Sequence, residues 1–306
     1  MNNKIIVCAY HNVGYRCTQE LIRQGAQIGL IFTHEDSPTE EIWFQSVRDL
    51  AEQHGIPCVT TDINLPENVE QVRAIAPAFI FSFYYRNMIK TEVLTIPHLG
   101  ALNLHGSYLP KYRGRVPVNW AVINGESETG ATLHYMVGKP DAGDIVDQEK
   151  IEIAFTDTAH DVFGKVSAAA ERVIARAWPL LRDGKAGRIP MNLAEGSYCG
   201  GRKPADGRID WTKSAVQIYN LIRGVTHPYP GAFTFLDGRK VIIWQAWPLE
   251  GVGVPGQIVS QSPLLIGTGQ GLLEIRSLQV EGQQEQSAAD FSIHQTMPIT
   301  LFQENP

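Results

Sequence analysis

The sequence lacks the features of a membrane protein, a secreted protein or a metalloprotein. No apolar run approaches the ~18 residues that a membrane-spanning helix needs, and no signal segment with a small-residue cleavage site stands at the start. The cysteines form no C-x-x-C motif and have no metal-ligand spacing to a histidine; they are Cys8, Cys17, Cys58 and Cys199. We therefore expect a cytoplasmic protein with reduced thiols, no membrane span and no metal site.

Basic charge is also scarce. The 306 residues include 26 Lys and Arg against 32 Asp and Glu, which gives a formal net charge of −6. This balance argues against a protein that coats nucleic acid or an anionic membrane. Hydrophobic residues make up 43% of the chain and charged residues 19%, so a sizeable core can form in one large domain or two ordinary ones.

Apolar runs and helical patterns alternate along the first part of the chain. The apolar runs are continuous, as in strands that are buried on both faces. They lie at 4–10, 26–33, 78–83 and 100–104, and helical spacing lies between them at 14–24, 40–54 and 66–76. This alternation predicts βαβ units, and hence an α/β, Rossmann-like domain with a mostly parallel sheet.

A stretch rich in loop-forming residues, 196–208, predicts a domain boundary. We place a catalytic domain at 1–200 and a smaller domain at 201–306. After a helix near 213–225, the second part consists of short strand-like runs broken by Gly, Pro and Asp. That pattern is typical of a small β-barrel-like, OB-like domain.

Motifs for a nucleotide cofactor or a serine nucleophile are missing. The loop after the first strand, Ala9 to Gly14, has one glycine instead of G-x-G-x-x-G, and bulky Tyr10 and His11 stand where a pyrophosphate would approach the backbone. There is no G-x-x-x-x-G-K-[ST] motif, and Ser107 does not lie in G-x-S-x-G. These absences argue against a nicotinamide oxidoreductase, a P-loop nucleotidase and serine-based acyl transfer.

Polar side chains gather at the end of the predicted strand 100–104. Asn103 and His105 are two residues apart, so an extended backbone points both side chains to one face. Histidine exchanges a proton near neutral pH, and an amide can donate a hydrogen bond to a developing oxyanion. Asp141, in a tight turn between two predicted strands, could orient the imidazole and raise its pKa. Each residue also has a plain structural interpretation, as a solvated histidine, a strand-end amide and a turn-forming aspartate.

Three motifs resemble the formyltransferases that use N10-formyltetrahydrofolate. They are Asn103-Leu104-His105-Gly106-Ser107, Leu109-Pro110-Lys111-Tyr112-Arg113-Gly114 and Asp141-Ala142-Gly143-Asp144. Other segments are similar to the half of bifunctional lipid A-modifying, polymyxin-resistance enzymes that formylates UDP-4-amino-4-deoxy-L-arabinose. These segments are 8–11, 31–34, 81–86 and 125–130. The other half of such enzymes, a UDP-glucuronate decarboxylase, is absent from this chain and is a candidate fused partner.

The resemblance implies a role for the residues of these motifs. His105 would be the general acid and base, Asn103 the oxyanion-stabilising amide, and Asp141 the carboxylate that raises the pKa of His105. The co-substrate would be N10-formyltetrahydrofolate, and no metal would take part. The residues implied to hold the folate are Asn87, Met88, Ile89, Arg115, Val137, Gly138, Lys139, Pro140 and Asp141.

Charge indicates the class of acceptor. An enzyme acting on tRNA needs a basic surface, usually in its second domain, but residues 201–306 carry eight Lys and Arg against nine Asp and Glu. We therefore expect a small nucleotide sugar and no nucleic acid. The resemblance implies a UDP-linked amino sugar, with a dTDP-linked amino sugar or methionyl-tRNA as alternatives. The residues assigned to the substrate are Tyr10 and His11, after the first strand, and the cations Lys111 and Arg113.

Overall fold

The computed structural model describes residues 3–38 and 42–291. Short strands and helices alternate through the first part of the chain. The strands there are β1 (Ile5–Ala9), β2 (Ile28–Phe32), β3 (Cys58–Val59), β4 (Phe79–Phe83), β5 (Gly100–His105), β6 (Arg113–Gly114), β7 (Glu128–Tyr135), β8 (Ile145–Glu152) and β9 (Tyr198–Cys199). The helices are α1 (His11–Arg23), α2 (Val47–Gln53), α3 (Pro66–Ile75), α4 (Thr91–Leu94), α5 (Pro117–Ile123) and α6 (Ala159–Arg182).

A central sheet has the strand order β3-β2-β1-β4-β5-β7-β8. The first five strands in this order, β3, β2, β1, β4 and β5, run parallel to one another. Strand β5 pairs with β7, and β7 with β8, in antiparallel fashion. Every residue of β1 and β4 is buried, as expected for strands covered on both faces. The predicted Rossmann-like, mostly parallel sheet is confirmed.

The order of the sheet locates the place where a site forms. The chain builds outward from β1 through β2 to β3, and then returns to the other side of β1 for β4 and β5. In open α/β sheets a crevice opens outside the carboxyl ends of the strands at such a reversal. Tyr10 and Tyr84 directly follow β1 and β4, and His105 ends the neighbouring strand β5.

Helix α1 contacts the sheet through Gly14. A Cβ at this position would lie 3.1 Å from the carbonyl carbon of Ala9 and 3.1 Å from the carbonyl oxygen of Phe83. Both are backbone atoms of strands in the sheet, so they cannot move aside as a flexible side chain would. The absence of a side chain at Gly14 therefore sets how closely α1 approaches the carboxyl ends of β1 and β4.

The predicted helix 40–54 is shorter in the structure. Helix α2 covers Val47–Gln53, and Ser46 caps it by accepting the Asp49 N–H at 3.1 Å. Residues 39–41 lie outside the described part of the chain. Trp43, which fits the helical spacing, and its neighbour Phe44 instead pack their rings against His11. The spacing was misleading here because these aromatic residues have a tertiary partner outside the helix.

The last part of the chain folds around a second, antiparallel sheet. Its elements are α7 (Ala215–Val225), β10 (Ala232–Leu236), β11 (Arg239–Leu249), β12 (Ile258–Gln261), β13 (Leu264–Gly267), β14 (Leu272–Val280) and β15 (Gln286–Ser287). The strand order is β10-β11-β14-β13-β12, with β15 on β14. Side chains from β10 to β14 line a small apolar cavity of about 20 Å³. The prediction of a small β domain at this end of the chain is confirmed.

The chain divides into two compact units. The first contains the residues up to Pro117, Glu128–Glu152 and Phe163–Gly200, and the second contains Val118–Ser127, Ile153–Val162 and the residues from Gly201 onward. Two segments of the predicted domain 1–200 thus pack with the second unit. Compactness does not show where an independently folding domain ends, so the boundary at 200/201 stays a prediction.

The longest helix, α6, carries charged side chains along its 24 residues. Within the described ranges, no helix has both the length and the apolar composition that crossing a membrane requires.

We predict opposite effects for two Gly→Ala substitutions in helices. Gly164→Ala in α6 adds a methyl group with nothing within 4 Å, so it should raise the free energy of unfolding by roughly 0.5–1 kcal/mol through helix propensity. Gly14→Ala gains the same propensity but presses on two backbone atoms, so it should lower stability by about 1–3 kcal/mol. Urea denaturation measures both, and an equal gain for the two variants would contradict the close contact at Gly14.

Candidate active site

Asn103 and His105 occupy alternate positions of β5 and therefore share one face of the sheet. Asn103 lies between Ser82 of β4 and His134 of β7 in the strand register. His105 ends the strand and is 6% exposed. Asp141 reaches this pair from the loop between β7 and β8, with its backbone in the left-handed region at φ 48°. The structure thus brings together the three residues predicted to carry the chemistry.

The imidazole of His105 is held by a backbone carbonyl. Its Nε2 lies 2.7 Å from the carbonyl oxygen of Tyr112, which can only accept, so Nε2 carries the proton and donates it. In the neutral ring the lone pair is then on Nδ1, which faces Oδ1 of Asp141 at 3.7 Å. The nitrogen available to take up a proton is therefore Nδ1, beside a carboxylate.

The carboxylate of Asp141 is the centre of the cluster. Its Oδ2 accepts the backbone N–H of Gly114 at 2.9 Å, and its Oδ1 accepts from Nδ2 of Asn103 at 3.3 Å. Nε2 of His134 is 3.4 Å from the same Oδ1. Burial alone would raise the pKa of Asp141, but His105, His134 and the Gly114 N–H together hold it well below its usual range. Asp141 is therefore a permanent negative charge, and not merely a turn-forming residue.

Burial and the charge of Asp141 act on the pKa of His105 in opposite directions. Burial lowers the pKa of His105 below its ordinary value of 6.5, and this outweighs the upward influence of Asp141 and of the Tyr112 carbonyl. His134 nearby also lowers the pKa of His105. Asp141 acts in the predicted direction, but desolvation of a nearly inaccessible ring is stronger. His105 is consequently neutral at neutral pH and able to act as a base.

His134 belongs to the cluster although the sequence did not single it out. It is 1% exposed, its Nδ1 donates to the Tyr135 carbonyl at 2.9 Å, and its Nε2 lies 3.3 Å from Asn103 Nδ2. It faces Asn103 because β5 and β7 pair in antiparallel register. Periodicity places His134 on a strand, but only the pairing register reveals which residue it meets.

Two backbone groups of the segment 112–115 face the cluster. The opposite edge of this segment is hydrogen-bonded to residues 197–199. The Tyr112 carbonyl and the Gly114 N–H contact His105 and Asp141, whereas the N–H groups of Arg113 and Arg115 donate to the carbonyls of Ser197 and Cys199. Ser197 Oγ also accepts the Tyr112 N–H at 2.8 Å. Residues predicted only as a boundary loop thus hold the strip that orients the imidazole of His105.

Tyr10 and His11, assigned to substrate binding, lie in an aromatic cluster at the carboxyl end of β1. Tyr10 is 4% exposed, and its hydroxyl donates to Oδ1 of Asp36 at 2.6 Å. The ring of His11 stacks on Phe44, with centroids 4.1 Å apart, and meets Phe163 edge-on. His11 also has φ 67°, which is unusual for a residue with a side chain. Packing explains both side chains, and their contact with substrate stays a prediction.

The two cations assigned to the substrate, Lys111 and Arg113, and Arg115, assigned to the folate, differ in their surroundings. Lys111 and Arg115 are exposed, whereas Arg113 between them is buried. The buried position of Arg113 was not expected, because the segment reads as a charged loop. It follows from the pairing of β6 with β9, which places Arg113 beside Tyr198 in the register.

The residues implied to bind folate lie on two loops. Asn87, Met88 and Ile89 follow β4, where Ile89 enters the core and Nδ2 of Asn64 fixes the Met88 carbonyl at 2.9 Å. Asn64 anchors this segment. The side chains of Asn103, His105 and Asp141 do not. The loop from Val137 to Asp141 follows β7 and joins the cluster directly through Asp141. Met88 and Val137 are 70% and 48% exposed, which offers apolar surface to a flat ring.

Other reactive groups are placed for structure. Cys8 is buried in β1, and burial raises the pKa of its thiol. The hydroxyl of Ser107 donates to the Lys111 carbonyl at 2.6 Å, so it braces the same loop and has no histidine as a base. Across residues 3–38 and 42–291, no group of three His, Cys, Asp or Glu side chains has an arrangement that could hold a metal ion.

Comparison with known proteins identifies relatives of both parts of the chain. Residues 15–178 match the family described as formyl transferase, and residues 202–295 match the formyl transferase C-terminal domain. Together the two matches cover the central sheet from β2 to β8, with the candidate site, and the second, antiparallel sheet.

Solved structures with the same fold include sugar formyltransferases. WlaRD, a sugar 3N-formyl transferase studied with dTDP and 5-N-formyl-THF, has a TM-score of 0.71 at 20% identity, covering 93% of this chain and 100% of that chain. An N-formyltransferase from Helicobacter canadensis, in complex with folinic acid and dTDP-3-aminofucose, has a TM-score of 0.69 at 18% identity, covering 94% and 100%. HypX from Aquifex aeolicus has a TM-score of 0.64 at 18% identity, and the match covers 94% of this chain and 47% of HypX. At these identities the likeness shows a shared fold.

We predict that Asp141→Asn lowers the pKa of His105 further, because it removes the negative charge that opposes the effect of burial. NMR titration of the His105 ring would measure the pKa, which should lie below 6.5 in the unmodified protein and lower still in the variant. Asp183→Asn, which removes an exposed carboxylate at the end of α6, is the control and should leave the His105 titration unchanged. A higher pKa of His105 in Asp141→Asn would contradict this account of the site.

Proposed function

The chain belongs to the formyl transferase family, and from this premise we propose that it transfers a formyl group from N10-formyltetrahydrofolate to an amino sugar. The specific acceptor we propose is UDP-4-amino-4-deoxy-L-arabinose, formylated at its 4-amino group for lipid A modification in the cytoplasm. The observation that carries the proposal is the joining of Asn103, His105 and Asp141 in one cluster. The resemblance of the segments 8–11, 31–34, 81–86 and 125–130 to the amino-arabinose enzymes supports the choice of acceptor.

The reaction replaces one carbon–nitrogen bond with another. The substrate amine attacks the formyl carbon, a new bond forms to that nitrogen, and the bond to N10 breaks. The amine must lose a proton, N10 must gain one, and negative charge develops on the formyl oxygen on the way. The protein therefore has to supply a base that can also return a proton, and a donor for the oxygen.

His105 fits the proton-transfer role through its Nδ1. The Tyr112 carbonyl holds the proton of the neutral ring on Nε2, so Nδ1 presents its lone pair. Burial favours the neutral form, which can remove the proton from the attacking amine. The same proton, then on Nδ1, can be delivered to N10 as the bond to the formyl carbon breaks.

Asp141 fits the role of stabilising the transient imidazolium. Its carboxylate remains ionised and lies 3.7 Å from Nδ1, too far for a hydrogen bond in the neutral state. When Nδ1 takes up a proton, the opposite charges attract, and the low local dielectric strengthens that attraction. The interaction is thus stronger during the reaction than before it, which is what catalysis requires.

Asn103 fits the role of donor to the developing oxyanion. Its Nδ2 is 3.3 Å from both Asp141 and His134, at the long end of hydrogen-bond distances. These contacts orient the amide with its N–H groups toward the cluster. An N–H in such a weak contact can be shared with a substrate oxygen at small cost.

The folate is assigned to the two loops that flank the cluster. The exposed side chains of Met88 and Val137 suit an aromatic ring system, and backbone groups of 87–89 and 137–141 would give it hydrogen bonds. Arg115, exposed at the end of the strip 112–115, offers a positive charge for a carboxylate of the folate. This arrangement would place the transferable formyl group beside Asn103 and His105.

The charge of the second part of the chain supports a small acceptor. Residues 201–306 have nearly equal numbers of acidic and basic side chains, whereas binding a tRNA requires an excess of positive charge. A dTDP-linked amino sugar is a second candidate, because two proteins of the same fold were studied with dTDP or a dTDP-sugar.

We predict that His105→Ala and Asn103→Ala each remain folded and lose activity by orders of magnitude. Loss of the base should lower kcat by about 10²–10⁴-fold, and loss of the oxyanion donor by about 10²–10³-fold. Formation of tetrahydrofolate, followed by absorbance, measures both. His54→Ala, at an exposed histidine after α2, is the control and should keep normal turnover. Near-normal turnover in either site variant would refute the assigned roles.

We predict turnover with UDP-4-amino-4-deoxy-L-arabinose and none with methionyl-tRNA. The acceptors should be compared at equal concentration with N10-formyltetrahydrofolate, with the product identified by mass spectrometry. Turnover with a dTDP-linked amino sugar alone would change the acceptor and keep the chemistry. Turnover with methionyl-tRNA alone would show that the charge argument is wrong, and no turnover with any of the three amines would refute the proposed function.

A further inference from the structure

Arg113 is a buried cation, and in the described part of the chain two of its guanidinium nitrogen atoms lack a hydrogen-bond acceptor. It is 8% exposed, and its Nε and Nη1 atoms are buried with no hydrogen-bond partner among the residues that the structure describes. Within the same ranges, no carboxylate forms an ion pair with it. A buried guanidinium normally has several acceptors, because desolvation of an unpaired charge is costly. Within residues 3–38 and 42–291, no side chain supplies the anion that a buried arginine needs.

Arg223 shows how this fold satisfies a buried guanidinium elsewhere. It is 5% exposed, its Nε donates to Oδ1 of Asn220 at 2.8 Å, and its Nη1 donates to the Asp157 carbonyl at 2.8 Å. Arg223 and Arg113 are thus equally buried, but only Arg223 has its nitrogen atoms engaged in this way. The contrast indicates that Arg113 binds a ligand, whereas Arg223 stabilises the fold.

The backbone around Arg113 is held on both sides. Its own N–H donates to the Ser197 carbonyl at 3.0 Å, while the preceding carbonyl and the following N–H bond to His105 and Asp141. The side chain therefore starts from a rigid strip that borders the candidate active site. A rigid support of this kind is what a binding site for a charged group needs, since little order is lost on binding.

We propose that the guanidinium of Arg113 binds the diphosphate of the nucleotide-sugar acceptor; this inference rests on the proposed function and adds a specific residue to it. Phosphate oxygens accept charge-assisted hydrogen bonds from arginine, and burial strengthens each of them. Exposed Lys111 and Arg115 lie two residues to either side and add positive charge. An anionic oxygen could also come from a folate carboxylate, so the experiment separates these two sources.

The experiment compares Arg113→Met and Arg113→Lys with the unmodified protein. Calorimetric titration with UDP, and separately with folinic acid, measures the two kinds of anion. We expect Arg113→Met to bind UDP roughly 10²-fold more weakly, Arg113→Lys to lie in between, and folinic acid to bind all three proteins equally. Without ligand, the Tm of Arg113→Met should be no lower than that of the unmodified protein, because the substitution removes an unpaired buried charge.

Arg223→Met is the matched control. It leaves Asn220 and two carbonyls without their donor, so its Tm should fall while the affinity of the folded protein for UDP stays the same. Unchanged UDP affinity in Arg113→Met would overturn the inference, and so would weaker binding of folinic acid alone or a fall in Tm equal to that of Arg223→Met. If the unmodified protein bound neither UDP nor dTDP, the proposed function itself would be refuted.

Discussion

The hydrogen bond between Nε2 of His105 and the Tyr112 carbonyl is the contact on which the candidate site depends. At 2.7 Å it assigns the proton to Nε2 and directs the other nitrogen toward Asp141. If the ring were reversed, the lone pair would face a carbonyl and no base would be available at the cluster. The strip 112–115, its pairing with β9 and the antiparallel turn that carries Asp141 all serve to keep this one contact in place.

Burial and charge act against each other in the cluster, and the balance suits a reversible proton transfer. Desolvation destabilises the protonated form of His105, whereas the ionised Asp141 stabilises it. A carboxylate hydrogen-bonded directly to Nδ1 would bind the transferred proton too firmly for its release to N10. Without a carboxylate, His105 would not take up the proton that it has to return. The separation of 3.7 Å lies between these extremes.

Much of the fold and the three central residues could be predicted from the sequence, because they depend on local pattern. Continuous apolar runs predict buried parallel strands, and the spacing of Asn103 and His105 on β5 predicts a shared face. The remaining features depend on non-local contacts. His134 requires the register of β5 with β7, the start of α2 requires the packing of Trp43 and Phe44 on His11, and the net pKa of His105 requires its burial.

The pairing of β6 with β9 also has a consequence for the order in which the protein becomes functional. Tyr112 and Ser197 are separated by 85 residues, so the bond between them closes a long loop and is formed late by comparison with local contacts. During synthesis, Asn103, His105 and Asp141 all leave the ribosome well before Ser197. A nascent chain can therefore contain every residue of the candidate cluster and still lack the support that orients the ring of His105.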